Sequence, residues 1–285
     1  MEWRGRRGSD NIEDRRRMGG ARVAGVGGIG ALAVVLIGLF FGYDLTPLLN
    51  GGGGGTLIQD NSQGGELTAE DKAAGEFVSV TLADTEDIWN KVFREQLSMQ
   101  YHAPTLVLFK GATQSPCGGA SGATGPFYCP IDKKVYLDTA FFTTLDRELG
   151  AGGDFASAYV VAHEVGHHVQ DELGILDKTT EIRQQVGGEQ ANAISVRVEL
   201  QADCLAGIWA RQVQEQFGTI ERGDYEEAIN AAKQIGDDTL QRNAGRYPMP
   251  ESFTHGTSEQ RMRWFETGLQ SGNIADCDTF SVRNP

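Results

Sequence analysis

The sequence predicts an α+β domain, mostly helical with a small sheet, preceded by one transmembrane helix. Three observations carry this. Two strand patterns fall between residues 105 and 138, helical periodicity fills the chain from Phe155 onward, and an uncharged run of membrane length lies near the N-terminus. A length of 285 residues suits one good-sized domain with extensions. With 40% hydrophobic and 22% charged residues the composition is ordinary for a globular chain, which excludes wholesale disorder.

Charge is spread unevenly. Residues 1–22 carry seven Arg against four acids, whereas residues 23–285 carry 18 bases against 35 acids. A body of net −17 offers no basic face, so nucleic acid is excluded as a partner. Residues 23–43 form a run of 21 without a charge, and about 20 apolar residues cross a bilayer as a helix. Gly38 and Gly42 make a GxxxG that could bring two copies together, although glycine that merely lightens the span is the favoured reading. Arginines precede the run and no Lys or Arg follows it before Lys72. The positive-inside rule therefore puts residues 1–22 in the cytoplasm and the acidic body on the far side of the membrane, periplasmic or extracellular if that membrane is the bacterial cytoplasmic one. No small-residue cleavage site closes the run, which favours an uncleaved signal anchor over a signal peptide.

Residues 44–67, with NGGGGG at 50–55, read as a flexible Gly-rich tether. The folded domain is expected over 68–285, opening at Thr68 with an N-cap and first-turn acids. Periodicity predicts helices over 68–82 and 84–99, strands over 105–109 and 133–138, and helices over 155–173, 179–217, 224–235 and 258–271. Between the strands, Cys117 and Cys129 bracket a turn-rich loop and can bridge in an oxidising compartment. Cys204 and Cys277 could form a second bridge, or Cys204 could be a buried thiol.

His163-Glu164-Val165-Gly166-His167 is an HExxH inside a helical apolar stripe of Ala158, Ala162, Val165, Val169 and Leu173. His163 and His167 are i and i+4, so their rings leave one face and can share a Zn²⁺ ion. Glu164 then lies beside the metal rather than on it, where a general base belongs. Glu199 is the best third ligand. Asp203, four residues further on, could accept a hydrogen bond from the outer nitrogen of a ligand histidine. Both acids sit among Leu200, Ala202, Leu205, Ala206, Ile208 and Trp209, too apolar a stretch for a solvent-facing helix. Gly166 inside the helix suggests that another backbone passes close by.

An HExxH followed by a helical ExxxD resembles the gluzincin metallopeptidases. More narrowly, the chain resembles the bacterial membrane-anchored family called putative neutral zinc metallopeptidases. The likeness runs through MEWRGRRGSDNIEDRRR, the apolar span, CGGASGATGPFYCPIDKKVYLD, AHEVGHHVQ, ELQADCLAG and FTHGTSEQRMRWF. It implies a zincin-like peptidase domain holding one catalytic zinc, and supplies no substrate.

In gluzincins a histidine downstream of the third ligand often stabilises the oxyanion, and His255 fits that place; capping the helix that begins near Ser258 is its alternative role. Tyr247 and Arg261 are further candidates, while His102 and His168 read as structural. The strand over 133–138 could be a sheet edge that pairs with an extended peptide, or an interior strand. The leading expectation is an enzyme that hydrolyses peptide bonds at the outer face of the cytoplasmic membrane. A zinc-stabilised scaffold without turnover, and an amidase acting on cell-wall peptides, are the alternatives.

Overall fold

The computed structural model describes residues 1–17, 66–121 and 124–285. The expected span over 23–43, its GxxxG, and the tether up to residue 65 lie outside the described residues. Among the described residues no helix is long and apolar enough to cross a membrane.

Strands β1 (Ile12–Asp14), β2 (Thr105–Phe109), β3 (Ala112–Ser115), β4 (Gly118–Ser121), β5 (Phe127–Cys129) and β6 (Lys134–Asp138) make two sheets. One has the order β1-β2-β6-β5, with β1 and β6 parallel to β2 and β5 antiparallel to β6; β3 and β4 form a separate hairpin. The TLVLF and KVYLD strands are buried beyond their first residues, as continuous apolar runs in parallel pairing require. The stretch expected as a possible peptide-binding edge is therefore interior: β6 has partners on both sides.

Helix α1 (Ala69–Val92) opens with a capping box in which Thr68 and Asp71 satisfy each other's backbone N–H groups. It is one helix where the periodicity suggested two, because Ala83 to Thr85 pack into the core without interrupting the ladder. A π-helical turn, Phe93–Leu97, closes it, and Ser98 leaves at φ 55°. After α2 (Phe141–Arg147) the helical half begins: α3 (Asp154–Glu172), α4 (Ile175–Gln185), α5 (Gly188–Phe217), α6 (Asp224–Gln234), α7 (Asp237–Asn243) and α8 (Ser258–Ser271). The expected helix over 179–217 is divided by Gly187 and Gly188, the latter at φ +53°, so α4 and α5 are separate.

Helices α3, α5 and α8 form the core of this half. Gly166 of α3 is where α5 comes nearest, since a Cβ there would sit 3.1 Å from the Ala202 carbonyl oxygen. Gly268 of α8 lies against the Cys204 carbonyl in the same way, leaving no room for a side chain. Phe155, Tyr159, Trp209 and Phe265 fill the space between these helices and are fully buried. Two disulfides staple the molecule: Cys117–Cys129 joins the hairpin to β5, and Cys204–Cys277 ties the C-terminal turn to α5.

Residues 1–17 are not a free-standing basic segment in this structure. β1 pairs with β2, Met1 and Trp3 enter the core, and Trp3 meets Phe77 edge-on at 5.5 Å. The Met1 ammonium reaches Asp154 at 2.7 Å and Asp224 at 3.2 Å, at the starts of α3 and α6. Part of the segment's charge is matched on docking, because Arg6 and Arg7 find Asp84, Glu86 and Asp87 on α1.

Candidate metal centre

Helix α3 carries His163, Glu164 and His167, and α5 faces it with Glu199 and Asp203. Each histidine is fixed through its Nδ1. His163 Nδ1 lies 2.8 Å from Asp203 Oδ1, and His167 Nδ1 lies 2.9 Å from Gln170 Oε1. With both Nδ1 atoms engaged, both Nε2 atoms point the same way, toward the Glu199 carboxylate. The distances are 3.2 Å from His163 Nε2 and 3.5 Å from His167 Nε2. Ligands about 2.0–2.1 Å from a tetrahedral zinc stand about 3.3 Å from one another, so the three donors fit that ion. All three lie within 4.8 Å of each other.

Behind the donors is a buried polar network. Asp203, fully buried, accepts from Tyr159 Oη at 2.5 Å and from Arg261 Nε and Nη2 at 2.8 and 2.9 Å. Burial alone would raise the Asp203 carboxyl, but Arg261 and His163 hold it down at about 2. Burial lowers the affinity of His163 for a proton, yet Asp203 and Glu199 outweigh it and bring its pKa up to about 10. Surroundings that favour an imidazolium so strongly favour a metal dication for the same reason. Burial raises Glu164, with His167 and His163 acting against it. Glu199 is drawn well below the usual carboxylate range: burial opposes, and His167 and His255 prevail.

His255 is thus near enough to Glu199 to favour its charge. A single residue fixes its loop: Asp237 Oδ2 accepts the N–H groups of Thr254, His255 and Gly256 at 2.8, 2.7 and 3.1 Å. Asp237 Oδ1 also lies 3.1 Å from His255 Nδ1. The capping role belongs to Thr257, whose hydroxyl accepts from the Gln260 N–H. Arg261 is buried and engaged with Asp203 and Tyr159, so it holds the site from behind. Tyr247 is 92% exposed on the surface. His168 turns away from the site, between Tyr128 Oη and the His102 carbonyl, and His102 pairs with Glu172.

Tyr159, Gln170 and Asp237 were not foreseen from the sequence. Tyr159 precedes His163 by four residues and Gln170 follows His167 by three, so helical spacing offered a signal for both. Asp237 offered none, being placed by the return of the chain after α7. A second acidic group, Asp154, Asp224 and Glu227, is set around the N-terminus, where Glu227 also accepts the Phe155 N–H.

An HExxH helix opposed by a helix with a third carboxylate is the arrangement of a zinc-metallopeptidase class, and the comparisons agree with it. The model of the putative neutral zinc metallopeptidase family matches residues 1–280, and the chain belongs to that family. It is 47% identical to the uncharacterized protein YpfJ of Escherichia coli K12, over 98% of this chain and 99% of that one. It is 42% identical to the uncharacterized protein Rv2575 of Mycobacterium tuberculosis H37Rv, over 73% of each. No solved structure matches it.

Proposed function

We propose that the protein is a zinc-dependent peptidase with a zincin-like catalytic domain that works at the outer face of the cytoplasmic membrane. The observation that carries the reading is the convergence of His163 Nε2, His167 Nε2 and Glu199 on one point, next to a carboxylate outside the donor set. Three protein donors leave a fourth position open, as catalytic sites do and structural sites do not. Bound there, zinc would polarise a scissile carbonyl and make water easier to deprotonate.

The chain's own groups supply the rest. Glu164 takes the proton of the attacking water and returns it to the leaving amine. Asp203 and Gln170 keep both imidazoles in the tautomer that presents Nε2. His255, oriented by Asp237, donates to the carbonyl oxygen as negative charge develops on it. Two disulfides support an oxidising compartment, and the apolar run over 23–43 supports attachment to the membrane bounding it.

The test is metal content and casein hydrolysis on the full chain in detergent, for wild type, Glu164→Gln and Glu199→Ala. One zinc per chain in wild type and Glu164→Gln, lost in Glu199→Ala, with cleavage by wild type alone, is expected. Absence of zinc from wild type would sink the reading; zinc without cleavage of any peptide tried would favour a scaffold.

A further inference from the structure

The basic N-terminal segment and the acidic body are usually read as lying on opposite faces of a membrane when an apolar run separates them. The packing of residues 1–17 points elsewhere. Arg6 makes a bidentate pair with Asp84, both bonds 2.7 Å, and Asp84 is only 3% exposed. Arg7 reaches Glu86 and Asp87, while Ser9 and Asn11 donate to Glu86. The backbone is used as well: Leu106 N–H donates to the Asn11 carbonyl at 2.8 Å, and Arg15 N–H to the Leu108 carbonyl at 2.7 Å. Ser9 N–H donates to the Ser79 carbonyl, and Glu2 N–H to that of Thr219.

Remove this segment and TLVLF becomes an open, apolar edge strand, the kind that invites aggregation. Asp84 and Glu86 lose their cations, and the core loses Met1 and Trp3. These contacts have hydrogen-bond length, whereas a membrane crossing would interpose about 30 Å of hydrocarbon.

We infer that residues 1–17 and 66–285 lie on the same side of the membrane, the N-terminal segment docked as a strap on its own body. Arg6 and Arg7, two of the arginines that suggest a cytoplasmic N-terminus, are then the strap's half of a charge match with Asp84, Glu86 and Asp87 of α1. Because both disulfides belong to the body, the shared side is the oxidising one. This holds whether or not the metal centre turns over a peptide.

Two measurements on the full chain test it. The first places single cysteines at Asp10→Cys and Ile131→Cys, both exposed, and treats sealed right-side-out vesicles with a membrane-impermeant maleimide. Both are expected to label without permeabilisation. Labelling of one before and the other only after permeabilisation overturns the inference. Labelling of both only afterwards upholds the shared side and overturns its assignment to the oxidising compartment.

The second joins Gly8→Cys to Ser79→Cys, since a Cβ on Gly8 would lie 3.5 Å from the Ser79 Cβ, within disulfide reach. After cutting at a protease site placed in residues 50–55, the two fragments are expected to stay together until reductant is added. Fragments that separate without reductant overturn the docking. A band of two chains' mass overturns docking on the strap's own body.

Discussion

Arg261 and Asp203 form a two-bond ion pair, Nε to Oδ2 at 2.8 Å and Nη2 to Oδ1 at 2.9 Å, with both side chains buried. Asp203 also receives His163 Nδ1, so the guanidinium bears on the candidate metal centre through one carboxylate. Removing one partner of a buried pair costs about 3–5 kcal/mol, because the other charge is left uncompensated. Arg261→Leu is expected to lose stability on that scale, read from the urea midpoint. Asp203→Asn keeps the shape but cannot accept in the same way, and its zinc affinity should fall about 10–100-fold in a chelator competition. Unchanged zinc affinity in Asp203→Asn would remove Asp203 from the site's support.

His255 and Asp237 give a prediction of the opposite kind, since neither is a donor to the metal point. His255→Phe should keep its zinc and lose about 10²–10³ in kcat, the usual size of an oxyanion donor's contribution. Asp237→Ala should reproduce part of that loss, because three N–H groups and the ring Nδ1 lose their acceptor together. A loss of zinc in His255→Phe would instead make it part of the binding set. Metal content and peptide kinetics on the same preparations separate the two.

Cys204–Cys277 closes a separation of 73 residues and Cys117–Cys129 one of 12. On chain entropy alone the first is worth about 4 kcal/mol and the second about 3. The first also abuts the site, since Cys204 adjoins Asp203 and Gln201 Nε2 donates to the Cys277 carbonyl at 2.9 Å. Cys204→Ala/Cys277→Ala should therefore lower the thermal midpoint more than Cys117→Ala/Cys129→Ala, and should lower zinc affinity too. Equal midpoint shifts with unchanged zinc affinity would refute both parts.

The helical half was the most legible in the sequence, because amphipathic spacing is local. The apolar stripe of α3 and the apolar surroundings of Glu199 mark the HExxH helix and the helix that packs against it from local pattern alone. Regions decided by distant partners were not legible. Nothing in KVYLD distinguishes an edge from an interior strand, since that depends on β5 arriving on one side and β2 on the other. Asp237 meets His255 only through the return of the chain. Arg6 and Arg7 add the same positive charge to the sequence whether a cytoplasm or the acids of α1 neutralise them. Sequence-based topology rules weigh the first and are blind to the second.

The strap makes a pH prediction through Asp84. Burial pushes this carboxyl up from 3.8 to about 6, against the downward pull of Arg6. Between those values the folded protein holds a proton that the unfolded chain has released. Linkage then makes the fold's stability from this group complete below about pH 4 and lost as pH rises through about 6. Asp84→Asn should flatten stability against pH in that window, measured by urea melts from pH 4 to pH 7. Arg6→Gln should extend the loss to higher pH, because the carboxyl then has burial without its principal counter-charge. A chain beginning at residue 68 should lack the strap's contribution altogether and melt earlier at every pH. Identical melting of that truncation and the full chain would mean that residues 1–17 contribute nothing to the fold.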